Sequence, residues 1–213
     1  GSVNVFKSAL EAGVKRMIFS SSSEVYGEPR ELPIKEDSVK GPVSTYGVSK
    51  LASEIYAKAF NQEKGADIKI VRFFNVYGPG QENNWVVPIF INKALRNEPI
   101  TVFGQGNQTR CFTFVEDISD GVMKVFEKGK TGEAYNIGNN HPTTILELAQ
   151  IVKEVTKSRS EIIKLGFGKD TRLKEREIEY RIPDISKMKE IGWQPKTMVR
   201  DGVKKILESM RKN

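Results

Sequence analysis

Two short stretches carry side chains of the kind that move protons. Ser20-Ser21-Ser22-Ser23-Glu24-Val25-Tyr26-Gly27 follows the apolar run Met17-Ile18-Phe19, and Tyr46-Gly47-Val48-Ser49-Lys50 opens a helical pattern. A free phenol ionises only near pH 10, too high for a base at neutral pH. A fixed ammonium nearby favours the phenolate. Tyr46 and Lys50 stand four residues apart, so on a helix they share a face. A Ser hydroxyl against the same substrate oxygen can share or relay the proton. Each half has a bland reading, since Tyr–Lys pairs at this spacing are usually solvated helix surface and Ser runs are usually loops. It is the combination that points to removal of a proton from a substrate hydroxyl.

The elements that must hold these groups can be read from periodicity. The run at 17–19 reads as a buried strand. Its hydroxyl-rich end places serines at the carboxyl edge of a sheet, where open α/β folds bind ligands. A helix over residues 46–60 has Ser44 or Thr45 as N-cap, Leu51, Ile55 and Ala59 at core spacing, and Gly65 as its stop. A helix over 3–12 precedes the first strand, with Val3, Phe6 and Leu10 on one face. A strand over 68–74 leads to Asn75, again at a strand's carboxyl end. Further on, the pattern predicts a helix at 86–96 and a strand at 99–104. Alternation after Arg110 turns Phe112 and Phe114 inward, and Asp117 caps a helix at 118–127. A strand at 134–137, a helix at 145–156 capped by Thr143 or Thr144, and a strand at 161–165 follow. A charged run at 169–181 precedes an Asp184-capped turn and a turn anchored by Trp193. The last helix, 198–210, buries Val199, Val203 and Ile206.

Composition narrows the chemistry. The net charge of +7 comes from lysines scattered through most helices, which fits solvated faces and an anionic ligand better than nucleic acid. With one cysteine, Cys111, there is no intrachain disulfide or thiolate zinc site. The single histidine, His141, stands just before Pro142 in a turn and reads as a loop residue, so a His-based metal site or a Ser-His triad is not expected, nor is a metal. No run approaches the roughly 18 apolar residues of a membrane span, and no signal peptide precedes the first helix, so a cytoplasmic location is expected.

The Ser-Ser-x-x-Val-Tyr-Gly and Tyr-x-x-x-Lys patterns resemble the extended short-chain dehydrogenase/reductases, in particular the NAD-dependent nucleotide-sugar epimerases, dehydratases and decarboxylases. The resemblance implies a catalytic set of Ser22, Tyr46 and Lys50, with Glu24 beside them. It implies NAD contacts at Asn4, Ser20, Phe73, Tyr46 and Lys50. It also implies nucleotide-sugar contacts at Ser22, Asn75, Val87, Val102, Phe103, Arg110 and Arg176. An Arg fork such as that of Arg110 suits phosphate oxygens.

A dinucleotide fold needs a Gly-rich turn at a helix N-terminus. Gly104-Gln105-Gly106 and Gly166-Phe167-Gly168 are at best fragments of one. The expectation is therefore an α/β fold holding the second half of a Rossmann-type parallel sheet, with a smaller α/β substrate-binding lobe. Residues 1–79 and 112–138 would form the sheet, and 80–111 and 139–213 the lobe. NAD binding by this chain alone is in doubt, and an N-terminal half is a possible missing partner.

The implied reaction is 4-epimerisation of a UDP- or other nucleotide-sugar: oxidation at C4, rotation of the keto sugar and re-reduction. Ser23 stands where dehydratases carry Asp, which disfavours water loss. Ser22-Ser23-Glu24 is close to the Thr-Ser-Glu of UDP-glucuronate decarboxylases, while Gly47-Val48-Ser49 is epimerase-like. A decarboxylase and a non-catalytic nucleotide-sugar binder or split-enzyme subunit are the alternatives. The family's dimer implies a homodimer through residues 3–12 and 46–60.

Overall fold

The computed structural model describes residues 1–166 and 180–211. Its centre is a three-stranded parallel sheet of β1 (Met17–Ser22), β2 (Ile68–Phe73) and the later β7 (Ala134–Ile137), with β2 in the middle. Side chains alternate between the faces of a strand. Ile68 and Ile70 therefore pack with Ala134 against α1 (Ser2–Glu11) and α2 (Thr45–Lys64). Val71 packs with Tyr135 and Ile137 against α4 (Val115–Lys128) on the other face. Helices on both faces leave β2 without a solvent side, so all of it from Ile68 to Arg72 is buried, Lys69 and Arg72 included.

A second core gathers the chain after β3 (Val76–Tyr77). It packs α3 (Val86–Leu95) and β4 (Ile100–Phe103) against α5 (Ile145–Thr156) and α7 (Val199–Met210), around Phe90, Val102, Leu148 and Val203. The short pairs β3 with β6 (Thr113–Phe114), β4 with β9 (Ile162–Leu165), and β5 (Thr109–Arg110) with β8 (Thr143–Thr144) stitch its edges. The segment from Ile185 to Trp193, including α6 (Ser186–Glu190), packs on β7 and α4, not on α5 and α7.

Several local expectations are met. Ser44 caps α2, accepting the Gly47 N–H at 3.0 Å. Thr144 and Glu147 form a reciprocal capping box at α5. Trp193 is buried and donates to the Asp117 carbonyl. Phe112 and Phe114 are both buried.

Three expectations are corrected. Asp117 is not an N-cap, because α4 already begins at Val115. Its buried carboxylate instead accepts the backbone N–H groups of Lys196 and Thr197. The strand foreseen after Arg110 is two pieces, because Arg110 pairs with Thr143 while Thr113 pairs with Val76. Ile55 does not face the core. It is 61% exposed, and α2 turns Ser53, Glu54 and Ala57 inward instead.

In the second core the Tyr77 ring is held edge-on between Phe112 and Phe114, with its hydroxyl against Gly202 of α7. A Cβ on Gly202 would lie 1.9 Å from that oxygen. Gly to Ala inside a helix ordinarily adds about 1 kcal/mol of stability. Here the sign inverts: Gly202→Ala is expected to lower the unfolding free energy by about 1–3 kcal/mol in urea titration.

Candidate active site

The site is built where β1 and β2 end. Strand register sets opposite fates for adjacent serines. Ser21 lies beside Arg72 on the α2 face of the sheet, and Ser22 lies beside Phe73 on the other. Arg72 in turn is level with Asn136 of β7, so Ser21, Arg72 and Asn136 form a polar row across three strands. Glu54 of α2 drops onto that row. Its carboxylate takes two hydrogen bonds from the Arg72 guanidinium, at 2.9 and 2.6 Å, and one from the Ser21 hydroxyl at 2.5 Å. Arg72 also donates to the Tyr26 hydroxyl and the Glu36 carbonyl, and Tyr26 donates to Asn136. All but Glu36 are at most 2% exposed. Burial pushes the Tyr26 phenol up to about 12 despite the nearby guanidinium. Burial opposes the charge on Arg72, but the hydrogen bonds and field of Glu54 and Tyr26 outweigh it and hold Arg72 above the ordinary arginine value. The Arg72 guanidinium therefore stays charged.

That buried joint seats α2. Glu54 lies one turn beyond Lys50 and two beyond Tyr46, so fixing it fixes both. Lys50 Nζ donates to the Ser20 carbonyl at 2.8 Å and sits 5.5 Å from the centre of the Tyr46 ring. Tyr46, half-exposed on the first turn, looks into a cleft of about 900 Å³. Gly47 lets that turn approach the 3₁₀ turn Ser23–Tyr26, since a Cβ there would lie 2.7 Å from the Glu24 carbonyl oxygen.

Ser22, Glu24, Tyr46, Phe73, Asn75 and Val87 all line this one cleft. Ser22 caps the 3₁₀ turn through the Glu24 N–H. Asn75 has φ +36°, and its side-chain carbonyl is buried with no hydrogen-bond partner among the described residues. Lys50 and Ser20 lie beside the cleft behind Tyr46. Asn4 is exposed on α1, Val102 is buried in the second core, and Phe103 and Arg110 lie on β4 and β5; none of these four lines the cleft. Arg176 lies outside the described residues.

Three functional groups went unnoticed in the sequence. Arg181, read as the end of the charged run, lines the cleft with its Nη1 4.0 Å from Glu24 Oε1. It is carried there by a parallel bridge between Ile34 and Pro183. Burial, together with the like charge of Arg110, holds Arg181 below the usual arginine value, against the pull of Glu24. Ser44, read only as a cap, also donates to Glu24 Oε2 at 2.6 Å. The Glu54–Arg72 pair had a usable signal: a Glu on the Tyr46–Lys50 helix, and an Arg inside an apolar strand.

A family model described as the NAD dependent epimerase/dehydratase family matches residues 1–138. The chain belongs to this family. It is 35% identical to a putative UDP-glucose 4-epimerase of Methanocaldococcus jannaschii, over all of this chain and 68% of that protein. It is also 35% identical to UDP-glucuronic acid decarboxylase 1 of Arabidopsis thaliana, over 99% of this chain and 48% of that protein. The solved UDP-glucose 4-epimerase of Thermotoga maritima with UDP-glucose superposes with a TM-score of 0.90 at 33% identity, over 99% of this chain and 68% of that one. The fold is thus a part of the Rossmann-type α/β fold of this family, the chain spanning about half to two-thirds of the length of these relatives. Among the described residues no helix is long and apolar enough to cross a membrane.

Because Glu54 and Arg72 desolvate each other, removing one is worse than removing both. Glu54→Ala is expected to cost about 3–5 kcal/mol of unfolding free energy, whereas Glu54→Leu with Arg72→Met costs less than either single change. Chemical denaturation of the three variants checks the order.

Proposed function

We propose that the protein containing this chain is a nucleotide-sugar 4-epimerase acting on a UDP-sugar. The observation that supports this best is the grouping of Ser22 and Tyr46 on one cleft, with the Lys50 ammonium beside the Tyr46 ring. When bound, NAD supplies reversible hydride transfer at C4 of the sugar. The residues fit its nicotinamide-ribose end. Lys50 spends one N–H on Ser20 and keeps two for ribose hydroxyls, and Phe73 and Tyr46 wall the cleft nearby. No Gly-x-Gly-x-x-Gly turn for its diphosphate occurs in this sequence.

Tyr46 takes the proton from the C4 hydroxyl and later returns it. The Lys50 ammonium stays beside the Tyr46 ring, 5.5 Å from its centre, during that exchange. Ser22 hydrogen-bonds the same oxygen while its charge changes. The unpartnered Asn75 carbonyl accepts from a ligand hydroxyl or amide. On the lobe side Val87 borders the ligand in the cleft, while the backbone of Val102 and Phe103 and the Arg110 fork, which do not line it, hold the nucleotide where it extends beyond the cleft.

One observation favours a second reading. Arg181 beside Glu24 places a cation at the cleft, which suits a sugar carrying a carboxylate and therefore UDP-glucuronate decarboxylation. A homodimer accompanies either reading. Val48, Ile55 and Tyr56 recur on one exposed face of α2, beside the exposed Val5 of α1.

Interconversion of UDP-galactose and UDP-glucose by the NAD-loaded protein tests the first reading. Tyr46→Phe is expected to lower kcat by about 10²–10⁴ with KM little changed. A pentose nucleotide and CO₂ from UDP-glucuronate, without epimerisation, would replace the first reading with the second.

A further inference from the structure

Glu24 and Arg181 face each other across the cleft without closing. The nearest approach, Nη1 to Oε1, is 4.0 Å, outside hydrogen-bond reach. The Nε of Arg181 is buried and has no hydrogen-bond partner among the described residues. A buried donor left unmade is costly. The two charges form an ion pair at the limit of its distance, with no hydrogen bond between them. The other Glu24 oxygen accepts the Ser44 hydroxyl at 2.6 Å, and the same Ser44 oxygen accepts the Gly47 N–H at 3.0 Å. Ser44 is thereby fixed to the start of α2, whose seat is the buried Glu54–Arg72 pair. Arg181 is fixed to a different frame. Ile34 donates to the Ile182 carbonyl and accepts from the Asp184 N–H, both at 2.8 Å.

We propose that Ser44 is a specificity-setting residue: by tethering the Glu24 carboxylate to the first turn of α2, it keeps the Arg181 guanidinium open for an anionic oxygen of the ligand. Released from Ser44, Glu24 turns onto Arg181 and neutralises it. Arg110, whose positive charge is felt at Arg181, strengthens the preference for an anion while that site is open. The inference rests on the cleft being the nucleotide-sugar site. The anionic oxygen belongs either to the diphosphate or to a sugar carboxylate.

Ser44 has two roles that substitution can separate. Ser44→Asp keeps the helix cap but cannot donate to Glu24, and it sets two carboxylates together. Ser44→Thr keeps both contacts, and Ser44→Ala loses both. Calorimetry on the chain is expected to give about tenfold weaker binding of UDP-glucuronate for Ser44→Ala and Ser44→Asp, with Ser44→Thr restoring wild-type affinity. In a Glu24→Gln background, Ser44→Ala is expected to change affinity by less than about twofold. An equal loss for UDP-glucose assigns the diphosphate as the anion; a loss confined to UDP-glucuronate assigns the carboxylate. The direct readout needs no ligand: the Arg181 Nε–H resonance in ¹H–¹⁵N spectra should move in Ser44→Ala and Ser44→Asp as it gains Glu24. An unmoved resonance, or wild-type affinity in Ser44→Asp, overturns the proposal. Failure of the wild-type chain to bind either UDP-sugar sinks the nucleotide-sugar reading instead, and the resonance still decides the role of Ser44.

Discussion

Glu54 and Arg72 meet between α2 and the central sheet with almost no water around them. Neither charge tolerates that place alone, because an unpaired buried ion costs several kcal/mol. The pairing is bidentate, so it fixes orientation as well as distance. Three strands supply the floor through Ser21, Arg72 and Asn136, and one helix supplies the peg. A helix that could slide half a turn along an apolar sheet face is held in one register. Everything on its first two turns inherits that register, which includes Tyr46 and Lys50.

The cleft is the outcome of two frames meeting. On one side are the ends of β1 and β2, with the 3₁₀ turn and the start of α2 pressed together at Gly47. On the other is the second core, entered through the Gly78-Pro79-Gly80 turn and closed by α3. Strand ends in a parallel sheet leave backbone and side-chain groups unpaired, and such edges are where open α/β folds take ligands. Among the described residues the unpartnered groups of the cleft include the Asn75 carbonyl and the Arg181 Nε. Both are polar atoms in a largely apolar wall.

Much of this was legible in the residues. A strand ending in hydroxyls, and a Tyr and Lys one turn apart on the next helix, pointed to the cleft that Ser22 and Tyr46 line. The strands also declared themselves, because β2 and β7 are short, mostly apolar segments. What failed did so for definable reasons. Ile55 has core spacing, but periodicity finds a face without saying which way it points, and the face turned inward bears Ser53, Glu54 and Ala57. Asp117 looked like a cap because Asp is a good one, yet its partners are the amides of Lys196 and Thr197, some eighty residues away. Arg181 reaches the cleft through a bridge to Ile34, a pairing across about 150 residues that no local pattern announces.

In the proposed reaction, α2 and the tip of β1 present Tyr46 and Ser22 to one substrate oxygen. A crystal structure of the protein with NAD and a UDP-hexose bound is the direct test. The sugar's C4 oxygen is expected within about 3 Å of both Tyr46 Oη and Ser22 Oγ. A sugar seated in the cleft with C4 turned away from both, or with only one of the two in reach, would contradict it.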